Sequence, residues 1–239
     1  MKSNSIVVSK YYKNKKIKSK INYTFYTIKK IYKRFKISQT GQCIEKNVSS
    51  SLKFLNNFKD NAVRTGAIAP SSKTLAKYIT DIALLDERKC IVELGSGTGS
   101  FTKEIIKKKS KGSLFFSLEI NKYFAEKTKT CCPDATIHND SAENIQKYLK
   151  EAQKDECDCI ISGLPWSCFD EKYQTDLIDR IYESLERNGE FLTFAYLQSS
   201  FLPQGIKFKK LLNDRFKVVI QTKIIWNNLP PAFVYHCTK

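Results

Sequence analysis

Short β-branched runs alternate with segments of helical periodicity from Ser51 to the end of the chain. The runs predict seven strands, at residues 90–95, 114–119, 135–140, 158–164, 190–196, 216–225 and 232–238. Helical periodicity lies before and between them, at residues 72–84, 101–109, 122–131, 141–152, 170–187 and 205–213. Because a strand, a crossover helix and the next strand form a parallel unit, this pattern predicts an α/β sheet of seven mostly parallel strands.

The last two predicted strands are joined differently from the others. Only residues 227–231 separate them, whereas a parallel crossover needs about a dozen residues or more. The two strands should therefore pair as an antiparallel hairpin at the end of the chain. In open sheets of this kind a ligand binds at the carboxyl ends of the strands, beside the point where the strand order reverses.

The first 50 residues follow another pattern, in which apolar side chains recur every three or four positions. The side chains that share this helical face are Ile17, Ile21, Phe25, Ile28, Tyr32 and Phe35. Residues 1–59 carry a net charge of +14, out of +17 for the whole chain of 239 residues. We therefore predict a basic amphipathic arm and linker over residues 1–50 and a nearly neutral domain over residues 51–239.

A basic helix with an apolar stripe is typical of a helix that lies in the plane of an anionic membrane surface. Two alternatives remain: the stripe packs on the chain's own domain and leaves the lysines in solvent, or the arm binds the phosphates of a nucleic acid. A targeting peptide is a further option, although such peptides favour Arg over the Lys found here.

Composition narrows the class of protein. With 41% hydrophobic and 12% aromatic residues, the chain can bury a core. No apolar run approaches the roughly 18 residues needed to cross a bilayer, and the N-terminus lacks the apolar core of a secretory signal, so we expect neither a spanning nor an exported protein. The eight cysteines form no C-x-x-C pair and only two histidines are present, which predicts no metal site and a reducing cytoplasm.

The strongest candidate for chemistry follows the first predicted strand, in the segment VELGSGTGSF. An acid, Glu93, precedes Gly95, Gly97 and Gly99, and glycines let the backbone turn tightly and approach a ligand closely. The spacing is G-x-G-x-G rather than the dinucleotide-binding G-x-G-x-x-G, and no Lys-Ser/Thr pair follows, which excludes a P-loop. The loop suits a cationic nucleoside without phosphates.

With this motif the chain resembles the S-adenosylmethionine-dependent methyltransferases with a Rossmann-like seven-stranded sheet, whose glycine motif is E/D-x-G-x-G-x-G. The resemblance implies S-adenosyl-L-methionine as cofactor. It implies that Glu119, after the second strand, binds both ribose hydroxyls and that Asp140, after the third, contacts the adenine amine. The alternative for both acids is a helix N-cap. The predicted cofactor residues are Glu93, Gly95, Ser96, Gly97, Gly99, Glu119, Ile120, Asp140, Ser141 and Ser162.

The segment SGLPW, residues 162–166, follows the fourth strand and bears on which group accepts the methyl. Enzymes that methylate the exocyclic amine of adenine have Asn/Asp-Pro/Leu-Pro-Tyr/Phe there, so that a polar side chain and a carbonyl hold the amine while the aromatic ring stacks on the base. Here Ser162 stands in the place of the Asn or Asp. The group that would orient an adenine is therefore missing.

Four segments, in this order, are similar to the bacterial phospholipid N-methyltransferases, which transfer methyl groups from S-adenosylmethionine to phosphatidylethanolamine. They are residues 64–72 (RTGAIAPSS), 162–166 (SGLPW), 194–198 (FAYLQ) and 227–235 (NNLPPAFVY). The resemblance implies a cytoplasmic enzyme, peripheral to the inner face of the cell membrane, with an anionic membrane surface and an aminophospholipid as partners. The long lysine-rich arm and Ser96, where relatives commonly have Pro, depart from the family. The related ribosomal RNA adenine dimethylases remain the alternative, because they share the fold and the net charge suits a nucleic acid.

Methyl transfer to an amine is an in-line displacement by a free lone pair, so the enzyme contributes mainly by positioning. We predict that Tyr196 and Asn228 accept a hydrogen bond from the amine and that Trp166 offers its ring face to the methylated cation. For each of these residues the alternative is ordinary packing or turn formation. The four segments contain no paired carboxylates, so a strong general base is not predicted.

Overall fold

A single seven-stranded sheet organises residues 72–239, the part of the chain that the computed structural model describes. The predicted arm and linker lie outside the described residues. The strands are β1 (Cys90–Leu94), β2 (Leu114–Leu118), β3 (Thr136–His138), β4 (Cys157–Ser162), β5 (Leu185–Tyr196), β6 (Val218–Gln221) and β7 (Ala232–Thr238). Their spatial order is β3-β2-β1-β4-β5-β7-β6. The strands from β1 to β5 are parallel, and β7 runs antiparallel to both β5 and β6, which confirms the predicted fold class and the terminal hairpin.

Helices cover both faces of the sheet. They are α1 (Lys73–Ile82), α2 (Ser100–Lys108), α3 (Lys122–Cys131), α4 (Ile145–Glu151), α5 (Glu171–Ser184) and α6 (Pro203–Arg215). Three short 3₁₀ turns span Ala142–Asn144, Trp166–Cys168 and Ser199–Phe201. Apolar side chains of α4, α5 and α6 pack in one core cluster, and those of α1 and α2 pack in the other. The domain therefore has three layers, with the sheet between two layers of helices. None of the helices in residues 72–239 has the length and hydropathy needed to cross a bilayer.

Two strands, the fifth and the sixth, differ most from their predicted bounds. The sixth is predicted over 216–225 but β6 spans only Val218–Gln221. It ends because the Thr222 hydroxyl, in place of a backbone carbonyl, accepts the Val234 N–H at 3.0 Å. The fifth is predicted from residue 190, but β5 begins at Leu185 and contains an irregularity before it resumes pairing at Glu190. A local alternation pattern does not reveal either effect, since both depend on the neighbouring strand.

The sheet brings distant loops to one edge. The loops that follow β1 to β5 lie at the carboxyl edge, and so does the loop before the antiparallel β7, because Ala232 pairs with Tyr196 at the end of β5. The start of α1 reaches the same edge, where the Ser72 N–H donates to the side chain of Asn228 at 3.0 Å. The opposite edge, which we call the amino edge, carries the end of α1 and the start of β6.

Candidate active site

The glycine loop after β1 forms the centre of the carboxyl edge. Gly95, Gly97 and Gly99 all have positive φ, between 53° and 82°. A Cβ atom added at Gly97 would meet no other atom within 4 Å, so the loop borders open space at this residue. A ligand can therefore come within contact distance of the backbone there, which a side chain would prevent.

Glu119, directly after β2, is hydrogen-bonded to this loop. Its side chain is fully buried. One carboxylate oxygen accepts the Gly97 N–H at 2.8 Å and the other accepts the Asn121 N–H at 2.9 Å. These bonds fix the orientation of the carboxylate at the base of the loop, which is the position predicted for a group that binds ribose hydroxyls.

Glu93, on β1, is the second buried acid beside the loop. The Thr102 hydroxyl donates to its Oε2 at 2.7 Å, while Oε1 forms no hydrogen bond to a described residue. Ser117 on β2 lies near enough to favour the charged form without meeting hydrogen-bond geometry. Burial raises the pKa of Glu93 to about 7, against the opposing effect of the two hydroxyls. The Ser96 hydroxyl is likewise buried without a hydrogen bond among the described residues.

Asp140 and Ser141 follow β3, as predicted. Burial opposes ionisation of Asp140, but hydrogen bonds from the Ser141 N–H, Tyr148 and Asn144 outweigh it and lower the pKa of this carboxyl group. The Tyr148 hydroxyl donates to Asp140 Oδ2 at 2.9 Å, and its ring stacks on His138 with a centroid distance of 3.9 Å. The sequence analysis did not find Tyr148, because only the return of α4 towards β3 brings it beside the acid.

Ile120 follows Glu119 in the loop after β2. It is half-buried and packs against the core cluster that contains Phe116. The Asn139 side chain donates to the carbonyl oxygens of Glu119 at 2.9 Å and of Ile120 at 3.0 Å. Asn139 thus ties the loop after β3 to the loop after β2, a contact that no sequence pattern indicated.

These residues fit S-adenosylmethionine. The cofactor carries an adenosine and a sulfonium cation without phosphates, and the site offers open space at Gly97 together with Glu119 and Asp140 at successive strand ends. The unpaired oxygen of Glu93 and the unpaired hydroxyl of Ser96 are buried polar atoms that need a partner, and a ligand with hydrogen-bond donors supplies one. Among the predicted cofactor residues, nine lie at this loop or at the ends of β2 and β3.

Ser162, the tenth, is the last residue of β4. It is fully buried, and its Oγ accepts the Leu164 N–H at 3.3 Å and the Trp166 Nε1–H at 3.2 Å. Its carbonyl oxygen also accepts the Thr193 hydroxyl at 3.2 Å. The side chain therefore closes the turn after β4, and its contact with the cofactor stays a prediction.

Trp166 also belongs to this internal network. Its ring stacks on Phe208 at a centroid distance of 4.6 Å, and its Nε1–H donates to both Ser162 and Thr193. Only 3% of the residue is exposed. The ring therefore packs in the core with one face against Phe208, and its contact with the methylated cation stays a prediction.

The turn after β4 nevertheless touches the cofactor loop through its backbone. A Cβ atom at Gly163 would lie 2.6 Å from the carbonyl oxygen of Gly95, and one at Gly95 would lie 3.0 Å from Leu164. The Gly163 N–H donates to the Leu94 carbonyl at 2.8 Å. Because real Cβ atoms do not come so close to a carbonyl oxygen, residue 163 has to be glycine for the turn and the loop to pack together.

Asn228 is buried as well, and both ends of its amide are occupied. Its Oδ1 accepts the Ser72 N–H at 3.0 Å, and its Nδ2 donates to the Pro230 carbonyl at 2.6 Å. Ser72 in turn caps α1 by accepting the Leu75 N–H. The segments around residues 72 and 228 are thus bonded to each other, and the contact of Asn228 with the amine stays a prediction.

Tyr196 is the remaining predicted catalytic residue, and it ends β5 at the carboxyl edge. It is half-buried, and its ring packs edge-on against Phe194 with a centroid distance of 5.4 Å. Burial raises the pKa of Tyr196 to about 12, so the phenol keeps its proton at neutral pH. A neutral phenol oxygen at this position can accept a hydrogen bond but cannot act as a base.

Comparison with known proteins adds one relative by sequence. No protein-family model matches the chain. An ornithine lipid N-methyltransferase from Singulisphaera acidiphila is 24% identical to it over 187 residues, which cover 77% of this chain and 93% of that protein.

Solved structures resemble the chain more widely. An O-methyltransferase from Bacillus cereus in complex with S-adenosylhomocysteine aligns with a TM-score of 0.57 at 13% identity, over 82% of this chain and 93% of its own. Magnesium protoporphyrin IX methyltransferase from Synechocystis, also with S-adenosylhomocysteine, aligns with a TM-score of 0.58 at 9% identity, over 80% and 98%. An rRNA methylase from Streptococcus thermophilus aligns with a TM-score of 0.51 at 17% identity, over 69% and 94%.

These likenesses confirm the predicted architecture as the fold of S-adenosylmethionine-dependent methyltransferases. The complexes with the demethylated cofactor also support the predicted cofactor, which the loop residues of this chain fit. The three solved proteins differ in what they methylate, so the fold by itself leaves the acceptor open.

Proposed function

We propose that this chain is an S-adenosylmethionine-dependent N-methyltransferase that acts on the amine of phosphatidylethanolamine or a similar aminolipid at the membrane surface. The cofactor site at the carboxyl edge and the methyltransferase fold support the first half of this proposal. The relative that methylates ornithine lipid supports the second, because its substrate is an aminolipid.

The observation that carries the choice of acceptor is the inward orientation of Ser162. An adenine needs a side-chain amide or carboxylate at this position, and the chain has a hydroxyl that is fully buried and bonded to Leu164 and Trp166. No described polar side chain of the turn from 162 to 166 is left to read the edge of a planar base. An amine on a flexible headgroup has no planar edge to recognise, and one carbonyl or phenol oxygen is sufficient to accept its hydrogen bond.

The chain's own residues hold the cofactor and the acceptor. Glu119 would bind the ribose hydroxyls, Asp140 the adenine amine, and Glu93 with the glycine loop the cationic methionine part. When bound, S-adenosylmethionine supplies an activated methyl group on a sulfonium. Tyr196 would accept a hydrogen bond from the amine and align its lone pair for in-line attack.

Deprotonation of the amine does not require a strong base in this arrangement. The pKa of about 12 keeps Tyr196 protonated, and no other titratable group has been assigned to the acceptor. The ammonium therefore releases its proton to water before transfer, and the reaction rate at subsaturating acceptor should rise with pH towards the pKa of the amine.

The test is incubation of the purified full chain with methyl-labelled S-adenosylmethionine and three acceptors: phosphatidylethanolamine in detergent micelles, ornithine lipid in the same micelles, and ribosomal RNA. Label in either lipid supports the proposal, whereas label in RNA alone overturns it in favour of a nucleic-acid methyltransferase. Tyr196→Phe should lower kcat about tenfold or more by removing one hydrogen bond to the amine. Tyr182→Phe, a half-buried tyrosine on α5 that packs on Phe216, is the matched control and should leave kcat unchanged.

A further inference from the structure

Exposed apolar side chains are concentrated at the carboxyl edge. Eight large hydrophobic residues of the described part are exposed, and three of them lie elsewhere, at the end of α1 and on β6. Four of the remaining five lie on the two segments beside Tyr196, one of which includes the start of α6. We call them the rim surface: Phe201, Ile206, Trp226 and Leu229. Phe201 is 72% exposed and Leu229 is 65% exposed, although water disfavours such side chains.

The topology brings the two halves of the rim surface together. Phe201 and Ile206 belong to the segment that leaves the end of β5 and begins α6, while Trp226 and Leu229 belong to the loop before β7. These segments are joined where the Leu197 N–H donates to the Pro231 carbonyl at 2.8 Å. The rim surface therefore borders the acceptor side of the candidate active site.

Unpaired cations lie at the same edge. Lys73 and Lys77 on the first turns of α1 and Lys223 after β6 are exposed, and none of them forms an ion pair with a residue of the described range. The Ser72 to Asn228 hydrogen bond joins the start of α1 to the loop before β7. Lys223 lies 5.7 Å from the ring centre of Tyr78, which brings the third lysine to the same side of α1.

We infer that the rim surface is a second membrane contact, with which the catalytic domain docks directly onto an anionic bilayer. Apolar side chains flanked by unpaired lysines match the two components of such a surface, since the apolar groups enter the headgroup region and the lysines lie against anionic headgroups. The inference rests on the proposed function, because docking by this edge would bring an aminolipid headgroup to Tyr196. It does not depend on the predicted arm.

The chain contains a natural reporter for this contact. It has two tryptophans, of which Trp226 lies in the rim surface and is half exposed, while Trp166 is buried in the core. Insertion of the rim should move the emission of Trp226 to shorter wavelength. Lipids brominated on their acyl chains should quench it, because this quenching requires contact between the indole ring and the acyl chains. Trp226→Phe should remove the response and so assigns it.

The experiment uses the full chain with vesicles of phosphatidylglycerol and brominated phosphatidylcholine, without aminolipid and without cofactor. The partition coefficient of the protein between water and vesicles is measured from the change in Trp226 emission. Phe201→Asp combined with Leu229→Asp should lower it about tenfold or more, because two apolar contacts with the bilayer are lost. Leu84→Asp combined with Val218→Asp is the matched control, since it adds the same charge at exposed apolar residues of the amino edge. That variant should bind like the unmodified chain.

Two results would overturn the inference: vesicle-bound protein whose Trp226 emission is neither shifted nor quenched, or equal loss of binding in the rim and control variants. Binding to RNA with no response to vesicles would also overturn it. Methylation of detergent-dispersed aminolipid tests the proposed function separately. If the rim variant keeps that activity and loses vesicle binding, both proposals are supported. If it loses neither, only the docking surface is wrong.

Discussion

The two halves of the carboxyl edge use their polar residues in opposite ways. In the cofactor half, after β1 to β3, the predicted acids Glu93, Glu119 and Asp140 all lie at the loops where the sequence analysis expected them. In the acceptor half, after β4 and β5 and before β7, Ser162 and Asn228 are bonded to backbone and core groups.

The difference follows from what each half has to recognise. A nucleoside cofactor presents hydroxyls and a ring amine, so side-chain acceptors have to stand at fixed strand ends, and their identity is visible in the sequence. The proposed acceptor, a lipid headgroup on a flexible chain, would require a shaped opening, which loops create by bonding to one another. The acceptor half is therefore built from contacts such as Ser72 to Asn228, which join residues far apart in sequence.

The largest expected effect tests the cofactor half. Glu119→Ala should remove two charge-assisted hydrogen bonds to ribose, each contributing roughly 1.5–3 kcal/mol, so affinity for S-adenosylmethionine should fall about a hundredfold or more. Calorimetric titration of the folded variant measures this. Because Glu119 also accepts the Gly97 and Asn121 N–H groups, thermal unfolding has to be measured alongside.

Glu126→Ala is the control for this change. Glu126 is an exposed acid on α3, where its only ion pair is with Lys122 at 3.9 Å among the described residues. The substitution alters the net charge equally and should leave cofactor affinity within about twofold of the unmodified chain. Equal affinity of the Glu119 variant and this control would exclude Glu119 from the cofactor site.

The second effect concerns the buried acid Glu93 and its dependence on pH. Its pKa is about 7 in the folded chain and 4.5 when unfolded, so the folded state holds the proton longer as pH rises. The contribution of this group to the stability of the cofactor-free chain is therefore fully present below about pH 4.5 and decreases up to about pH 7, by roughly 3 kcal/mol. The Glu93→Gln variant cannot ionise at this position, which should flatten this part of the stability curve.

Chemical denaturation between pH 5 and pH 8 measures the slope, with Glu126→Gln as the exposed control. In the Glu93→Gln variant the Thr102 hydroxyl can still donate to the new side chain, since an amide carbonyl oxygen also accepts hydrogen bonds. An unchanged slope in the Glu93 variant would mean that another group causes the pH dependence.

The third effect tests the acceptor half. Trp166→Phe keeps an aromatic ring but removes the N–H that donates to Ser162 and Thr193, so the free energy of unfolding should fall by about 2 kcal/mol. Affinity for S-adenosylmethionine should stay within about threefold, because the hydrogen bonds and ring contacts of the tryptophan are to residues outside the glycine loop. A variant with full stability and lost turnover would instead support the predicted catalytic contact of Trp166.

The contrast between local and long-range contacts also explains which parts of the fold and of the candidate site could be predicted from the sequence. The seven strands and the glycine loop were predictable because alternation and glycine spacing are local, and β1 with Gly95 to Gly99 matches its predicted position. The early end of β6 at Gln221 was not predictable, because the Thr222 hydroxyl bonds to a strand that comes later in the chain. Tyr148 and Asn139 were missed for the same reason, since each meets its partner only after the crossovers fold.

The smallest expected effect concerns Asn228, for which the sequence predicted contact with the amine and the structure shows two structural bonds. Asn228→Ala should lower the free energy of unfolding by about 1 kcal/mol, because the Ser72 N–H loses its acceptor and can be reached by water only in part. The loop before β7 should become less ordered. The KM for the lipid should therefore rise, while kcat at saturating lipid should stay within about twofold.

The neighbouring Asn227 gives the matched control, since it is exposed and forms no hydrogen bond to a described residue. Asn227→Ala should change neither stability nor KM. Asn228→Asp separates the two bonds, because its carboxylate still accepts the Ser72 N–H but cannot donate to Pro230. If the alanine variant keeps its stability and its KM but loses kcat, Asn228 touches the reacting amine, and the acceptor half resembles the cofactor half after all.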